Sequence, residues 1–169
     1  MWRRTQRGLT FVELLIGAFI LLVGITAMFG AFASQTSLNE HTRNYAWATQ
    51  DANRVMEQLR QQNTGAGCAT PSVAWPAGFA SWDAWLADTG ANGGGGKSVQ
   101  PNPAANELII LSSSGADPIT VTAAVCWRSR THVVGECTWN GAALSPNDAN
   151  GNGIIESPTM LSTVLSCRR

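Results

Sequence analysis

Charge is scarce in this chain. Only 13% of its 169 residues are Asp, Glu, Lys or Arg, and the formal net charge is zero. No basic field is available to attract nucleic acid, which excludes the electrostatic footprint of most DNA- and RNA-binding domains. Histidine is nearly absent too, with only His41 and His132, and no Cys-x-x-Cys pair occurs. A closed zinc site of the usual ligand spacing is therefore not in prospect. Missing as well are a Gly-x-Ser-x-Gly elbow, a phosphate-binding glycine loop and a Ser, His and acid set in motif context. The chain is expected not to be an enzyme. Between Leu38 and Gln62 there is neither proline nor glycine.

What is present begins at the amino terminus. Arg3, Arg4 and Arg7 precede Gly8, and an apolar run then extends from Leu9 to about Ala33. At 1.5 Å rise per residue that run is long enough to cross a bilayer as a helix. The three arginines place the leader on the cytoplasmic side and the rest across the membrane. One carboxylate, Glu13, lies inside the start of the run. An ionisable group there is costly and calls for a partner.

Gly8-Leu9-Thr10-Phe11-Val12-Glu13 resembles the processing site of type IV prepilins and of the pseudopilins of type II secretion. The resemblance implies cleavage after Gly8 by a prepilin peptidase and methylation of the new terminus at Leu9. It implies that Glu13 meets the cationic amine of a neighbouring subunit during assembly. The subunit would wait in the bacterial inner membrane with a periplasmic head and then enter a pilus or pseudopilus. Three other readings of the segment stand beside this one. An ordinary signal peptide would be cut after Ala31-Phe32-Ala33, before Ser34. A plain membrane anchor would serve a secreted or tethered binding domain. A twin-arginine signal would use Arg3-Arg4, but Thr5-Gln6-Arg7 does not supply the apolar residues that follow such a pair.

The fold expected is α+β. By resemblance it is a pilin-like lollipop: a cleaved leader (1–8), a membrane helix (9–33), an amphipathic helix (34–63), a connecting loop (64–106) and an antiparallel sheet head (107–169). Apolar residues at Leu38, Tyr45, Ala48, Ala52, Val55, Met56 and Leu59 mark one helix face. Asp51 with Arg54 and Glu57 with Arg60 read as ion pairs on the wetter side. Asn63 to Gly67 ends the helix. Ser81 is expected to cap a short helix, Trp82 to Ala87. The aromatic residues of that loop, Trp75, Phe79, Trp82 and Trp85, read either as a binding surface or as core cover. Strands are expected at Glu107–Ser112, Ile119–Trp127 and Met160–Cys167, with a turn at 113–118 between the first two and Glu136–Trp139 returning beside the second after the polar stretch 128–132.

Four cysteines, all beyond the apolar run, read as two disulfides, with three connectivities open. Cys126 with Cys137 across a hairpin, leaving Cys68 with Cys167, is the expected set. Asp148-Ala149-Asn150-Gly151-Asn152-Gly153-Ile154-Ile155-Glu156 resembles the first nine positions of an EF-hand loop. Asp148, Asn150, Asn152, the Ile154 carbonyl and Glu156 are the candidate calcium ligands. The twelfth position is Thr159 rather than a bidentate Glu. The alternative is a plain Asn/Asp/Gly turn. Some pseudopilins carry calcium late in the head. The Val125-Cys126-Trp127 strand resembles minor pilins of the pilus-modification type.

Overall fold

In a computed structural model, residues 10–65, 68–99 and 102–167 are described. The chain forms two compact units, residues 1–40 and 41–169. One helix, α1 (Phe11–Gln62), contributes residues to both. In the first unit its side chains from Phe11 to Phe32 are exposed. An 18-residue window of α1 has a mean hydropathy of 2.4, and none of that window is buried. α1 is long and apolar enough to cross a membrane.

The second unit is built on a central strand. β1 (Glu107–Gly115) runs antiparallel to β2 (Ile119–Ser129) along almost all its length. The other side of β2 is shared. β6 (Thr159–Leu165) lines residues 119–125, and β3 (His132–Val134) lines residues 127–129. A separate ribbon pairs β4 (Cys137–Trp139) with β5 (Leu144–Pro146). Two short helices precede the sheet, α2 (Trp82–Ala87) and α3 (Pro103–Asn106).

Alternation along the strands sends odd positions to one layer and even positions to another. Ile109, Val121, Ala123, Val125, Trp127 and Leu165 pack with Ala48, Ala52, Val55, Met56 and Leu59 of α1 and with Trp82, Trp85 and Leu86 of α2. Ala124 and Cys126, on the opposite face, pack with Cys137, Leu144 and Ile155. β2 is thus buried on both faces from Ala123 to Trp127, which is why its period-two pattern fades there.

Several expectations change. β1 continues to Gly115, so the turn is shorter than 113–118 and occupies residues 116–118. Glu136–Trp139 does not return beside β2. Continuing the β2–β3 register would set Gly135 opposite Cys126. Gly135 instead adopts φ 95°, and a Cβ there would lie 2.9 Å from Cys126 Sγ. The chain leaves the sheet at that point and Cys137 opens the second ribbon. Asn102 and Pro103 start α3 inside the stretch read as loop, with proline at the first helical turn where its missing N–H is harmless. Leu38 is exposed, Tyr45 is partly exposed with its ring edge-on to the buried Trp127, and Asn44 and Asp51 are buried.

The disulfides are Cys68–Cys167 and Cys126–Cys137, with Cα separations of 5.4 and 6.2 Å. The first closes a span of 99 residues from just beyond α1 to the carboxyl-terminal end of β6. On the chain-entropy account, such a long closure removes the most freedom from the unfolded chain. The second ties the ribbon to the sheet's central strand.

Candidate assembly segment and head loop

Glu13 sits in the first turn of α1. Its Oε2 accepts from the Thr10 N–H at 3.3 Å and from the Thr10 hydroxyl at 3.4 Å. Thr10 Oγ1 in turn accepts from the Glu13 N–H at 3.4 Å. This is a capping box: Thr10 and Glu13, three apart, satisfy each other's unpaired backbone donors. The carboxylate also faces the positive end of the helix dipole. Sequence reading singled out Glu13 for its charge and missed Thr10, although the Thr-x-x-Glu spacing before an apolar run is itself a helix-start signal. Gly8 and Leu9 lie outside the described residues.

The head carries a polar cluster that sequence reading also missed. Asp51 is wholly buried, not on the wet side of α1. Arg54 Nη2 donates to its Oδ1, the Ser98 hydroxyl donates to the same atom at 2.9 Å, and the Ser98 N–H donates to Oδ2 at 2.7 Å. Arg54 also donates to the carbonyls of Gly94 and Gly96, at 2.6 and 2.8 Å. The glycine tract therefore has a structural task, since its backbone carbonyls wrap a guanidinium. Glu107, at an inward odd position of β1, is 1% exposed and accepts from Val99 N–H at 3.1 Å. Burial pushes its carboxyl up to about 8, and the charge and hydrogen bond of Asp51 add to the rise. The Val99 N–H and Lys97 pull the other way. Lys97 itself pairs with Asp83 at 2.8 Å and donates to the Glu107 carbonyl at 2.7 Å. These bonds pin α1, the 94–99 segment, α2 and β1 together. The expected exposed pair Glu57–Arg60 is present at 3.8 Å.

The aromatic loop is mostly core. Trp82 and Trp85 are buried, meet edge to face at 5.5 Å, and donate their indole N–H groups to the Val73 and Asn92 carbonyls. Ser81 caps α2 through the Ala84 N–H. Trp75 is the ring left half exposed.

In the loop 148–156, Asp148 Oδ1 accepts from Gly151 N–H at 2.7 Å and Asn152 N–H at 3.2 Å, and Oδ2 accepts from Gly153 N–H at 2.7 Å. Asn150 Oδ1 accepts from Asn152 N–H and Asn152 Oδ1 from Ile154 N–H. The side-chain amides of Asn150 and Asn152 both reach Glu156 Oε1, at 3.3 and 3.5 Å. Glu136 enters from outside, its Oε2 accepting from the Glu156 N–H at 3.0 Å. The loop is thus closed by bonds from four of its own side chains, Asp148, Asn150, Asn152 and Glu156. Among the described residues no group of three His, Cys, Asp or Glu is placed to hold a metal, because the donors here are largely amide and carbonyl. Thr159, the twelfth position, is buried in β6 opposite Val125 and is not free to ligate. The side-chain oxygens of Asp148, Asn150 and Asn152 accept the loop's own N–H groups, and the bidentate acid of a full EF-hand cage is missing at the twelfth position.

A family model, the prokaryotic N-terminal methylation motif, matches residues 3–29. The match covers 27 of the 169 residues, and over that segment the chain carries a prepilin-type methylation motif. No curated protein and no solved structure matches it. The matched segment contains Gly8, Leu9, Thr10 and Glu13. The head beyond it is α+β, with the His41–Gln62 part of α1 packed on an antiparallel sheet. The motif together with the apolar window of α1 fits a membrane-anchored, pilin-like subunit.

Proposed function

We propose that this chain is a low-abundance subunit, a minor pilin or pseudopilin, of a type IV pilus or type II secretion filament. Prepilin peptidase cuts after Gly8, Leu9 becomes the methylated terminus, and the apolar part of α1 holds the subunit in the inner membrane with a periplasmic head until assembly. Other pilin or pseudopilin subunits are its partners, and it performs no catalysis. The observation that carries this reading is the methylation motif over residues 3–29 with Glu13 opening an apolar, uncovered helix. In a strain lacking prepilin peptidase, the protein is expected to keep its first eight residues and to stay in the inner membrane. Shortening to the same product without the peptidase would contradict the proposal.

Calcium at the head loop is a subsidiary proposal, favoured by the Gly153 N–H held on Asp148, which draws the first and sixth loop positions together. Asp148, Asn150, Asn152, the Ile154 carbonyl and Glu156 would hold the ion, whose positive charge would offset that of the carboxylates. With so few charged ligands the affinity belongs to the weak, extracellular range of about 10⁻⁴–10⁻³ M. Isothermal titration of the full chain in detergent micelles is expected to show binding heat in that range, lost in Asp148→Ala. No heat at millimolar calcium rejects the site.

A further inference from the structure

Four Asn-Gly dipeptides occur in the head: Asn92-Gly93, Asn140-Gly141, Asn150-Gly151 and Asn152-Gly153. Such a pair can modify itself. The glycine backbone nitrogen attacks the asparagine Cγ, the N–Cγ bond forms and the Cγ–Nδ2 bond breaks. The nitrogen's proton leaves with the side-chain amide as ammonia. Water then opens the resulting succinimide at either carbonyl, giving aspartate or its isoaspartyl isomer. Glycine favours the step because no Cβ hinders the approach. Two further conditions govern the rate. The glycine N–H must be free to lose its proton, and Cγ must be electrophilic.

The four sites differ on both counts. Gly151 N–H and Gly153 N–H each donate to an oxygen of Asp148 at 2.7 Å. These are bonds to a charged acceptor, which hold the nitrogen in place and oppose the build-up of negative charge on it. Gly93 N–H donates to the Gly90 carbonyl at 3.0 Å. Gly141 N–H makes no hydrogen bond among the described residues. Gly141 has φ 101° and open space around it. Meanwhile Asn140 Oδ1 accepts from both Ala142 N–H and Ala143 N–H at 2.9 Å. Two aligned donors on that oxygen polarise Cγ and stabilise the charge that grows on Oδ1 as the nitrogen adds.

We propose that Asn140 is a site of spontaneous deamidation in this head and that Asp148 protects Asn150 and Asn152 from the same reaction. Asn140 begins the turn between β4 and β5, where its N–H donates to the Ala143 carbonyl at 3.2 Å. Aspartate there adds a negative charge to an exposed turn. The isoaspartyl form adds one backbone atom to a turn whose first strand is tied at Cys137. This inference stands independently of the filament reading.

The test is peptide mapping by mass spectrometry of the full chain, aged in detergent micelles in mildly alkaline buffer. Asn140 is expected to convert at least about tenfold faster than Asn92, Asn150 or Asn152, since small changes in attack geometry carry rate factors of that size or more. A comparable rate at any of those three sites overturns the assignment of Asn140. In Asp148→Ala, conversion at Asn150 and Asn152 is expected to rise about tenfold, with Asn140 in the same sample as an unchanged internal clock. Unchanged rates at both asparagines overturn the protective role of Asp148.

Discussion

Replacing Glu13 with alanine is expected to leave membrane insertion intact and to remove the protein from assembled filaments. Taking a carboxylate out of an apolar segment makes insertion easier, not harder. A failure to assemble therefore cannot be traced to poor insertion. The capping box introduces a second role that must be separated from the first. Glu13 closes the amino-terminal turn of α1 with Thr10, and alanine would lose that as well. Glu13→Gln distinguishes the two, because glutamine serves at this position of a capping box but carries no charge. On the proposed reading both variants sit in the inner membrane and neither is recovered in sheared filaments. Recovery of the glutamine variant at wild-type level would reduce Glu13 to a helix cap.

The second large effect belongs to the head's buried carboxylates. Unfolding is expected to become easier as pH rises from about 4.5 to about 8. Below 4.5 the Glu107 carboxyl is protonated in both states and contributes no pH dependence. Between the two values the unfolded chain gives up its proton while the folded head keeps it, so a rise in pH favours unfolding. Above 8 both forms are ionised, and the loss is complete. The full span corresponds to a few kcal/mol at about 1.36 kcal/mol per pKa unit, a large share of a typical domain's stability. The cause is local. Burial disfavours a charged Glu107, and Asp51, already bonded by Arg54 and Ser98, disfavours a second negative charge beside it. Glu107→Gln mimics the protonated form and is expected to abolish this slope. Thermal midpoints of the full chain in detergent micelles, followed by tryptophan near-ultraviolet circular dichroism, provide the measurement. A flat wild-type profile over that window, or an equal slope in Glu107→Gln, would contradict the assignment.

How much of this was legible depended on whether one residue type admits one environment. A carboxylate in an apolar run admits few, so Glu13 stood out at once. Ser81 before Trp82-Asp83-Ala84 could be read as a cap because the signal is local. Asp51 and Arg54 could not be placed, since an i,i+3 pair looks the same on either face of a helix. Only the 94–99 segment, more than forty residues away, supplies the Ser98 and glycine-carbonyl partners that let Asp51 be buried. Glu107 was hidden likewise. At the start of an apolar strand it reads as an edge, whereas the odd-position register turns it inward toward α1. Cys137 seemed to belong to a hairpin with β2. The left-handed Gly135, packed against Cys126 Sγ, is what ends that pairing, and no periodicity announces it. For Asp148 to Glu156, the residue pattern suggested the loop, while the side-chain bonds to Gly151 and Gly153 emerged only with the backbone in place.

The most direct measurement is the mass and sequence of the amino-terminal peptide from protein isolated from its native membrane. A peptide beginning with methylated Leu9 is the predicted result. One beginning at Ser34, stripped of the apolar segment, or one retaining Met1 through Gly8 in assembled filaments, would contradict the account.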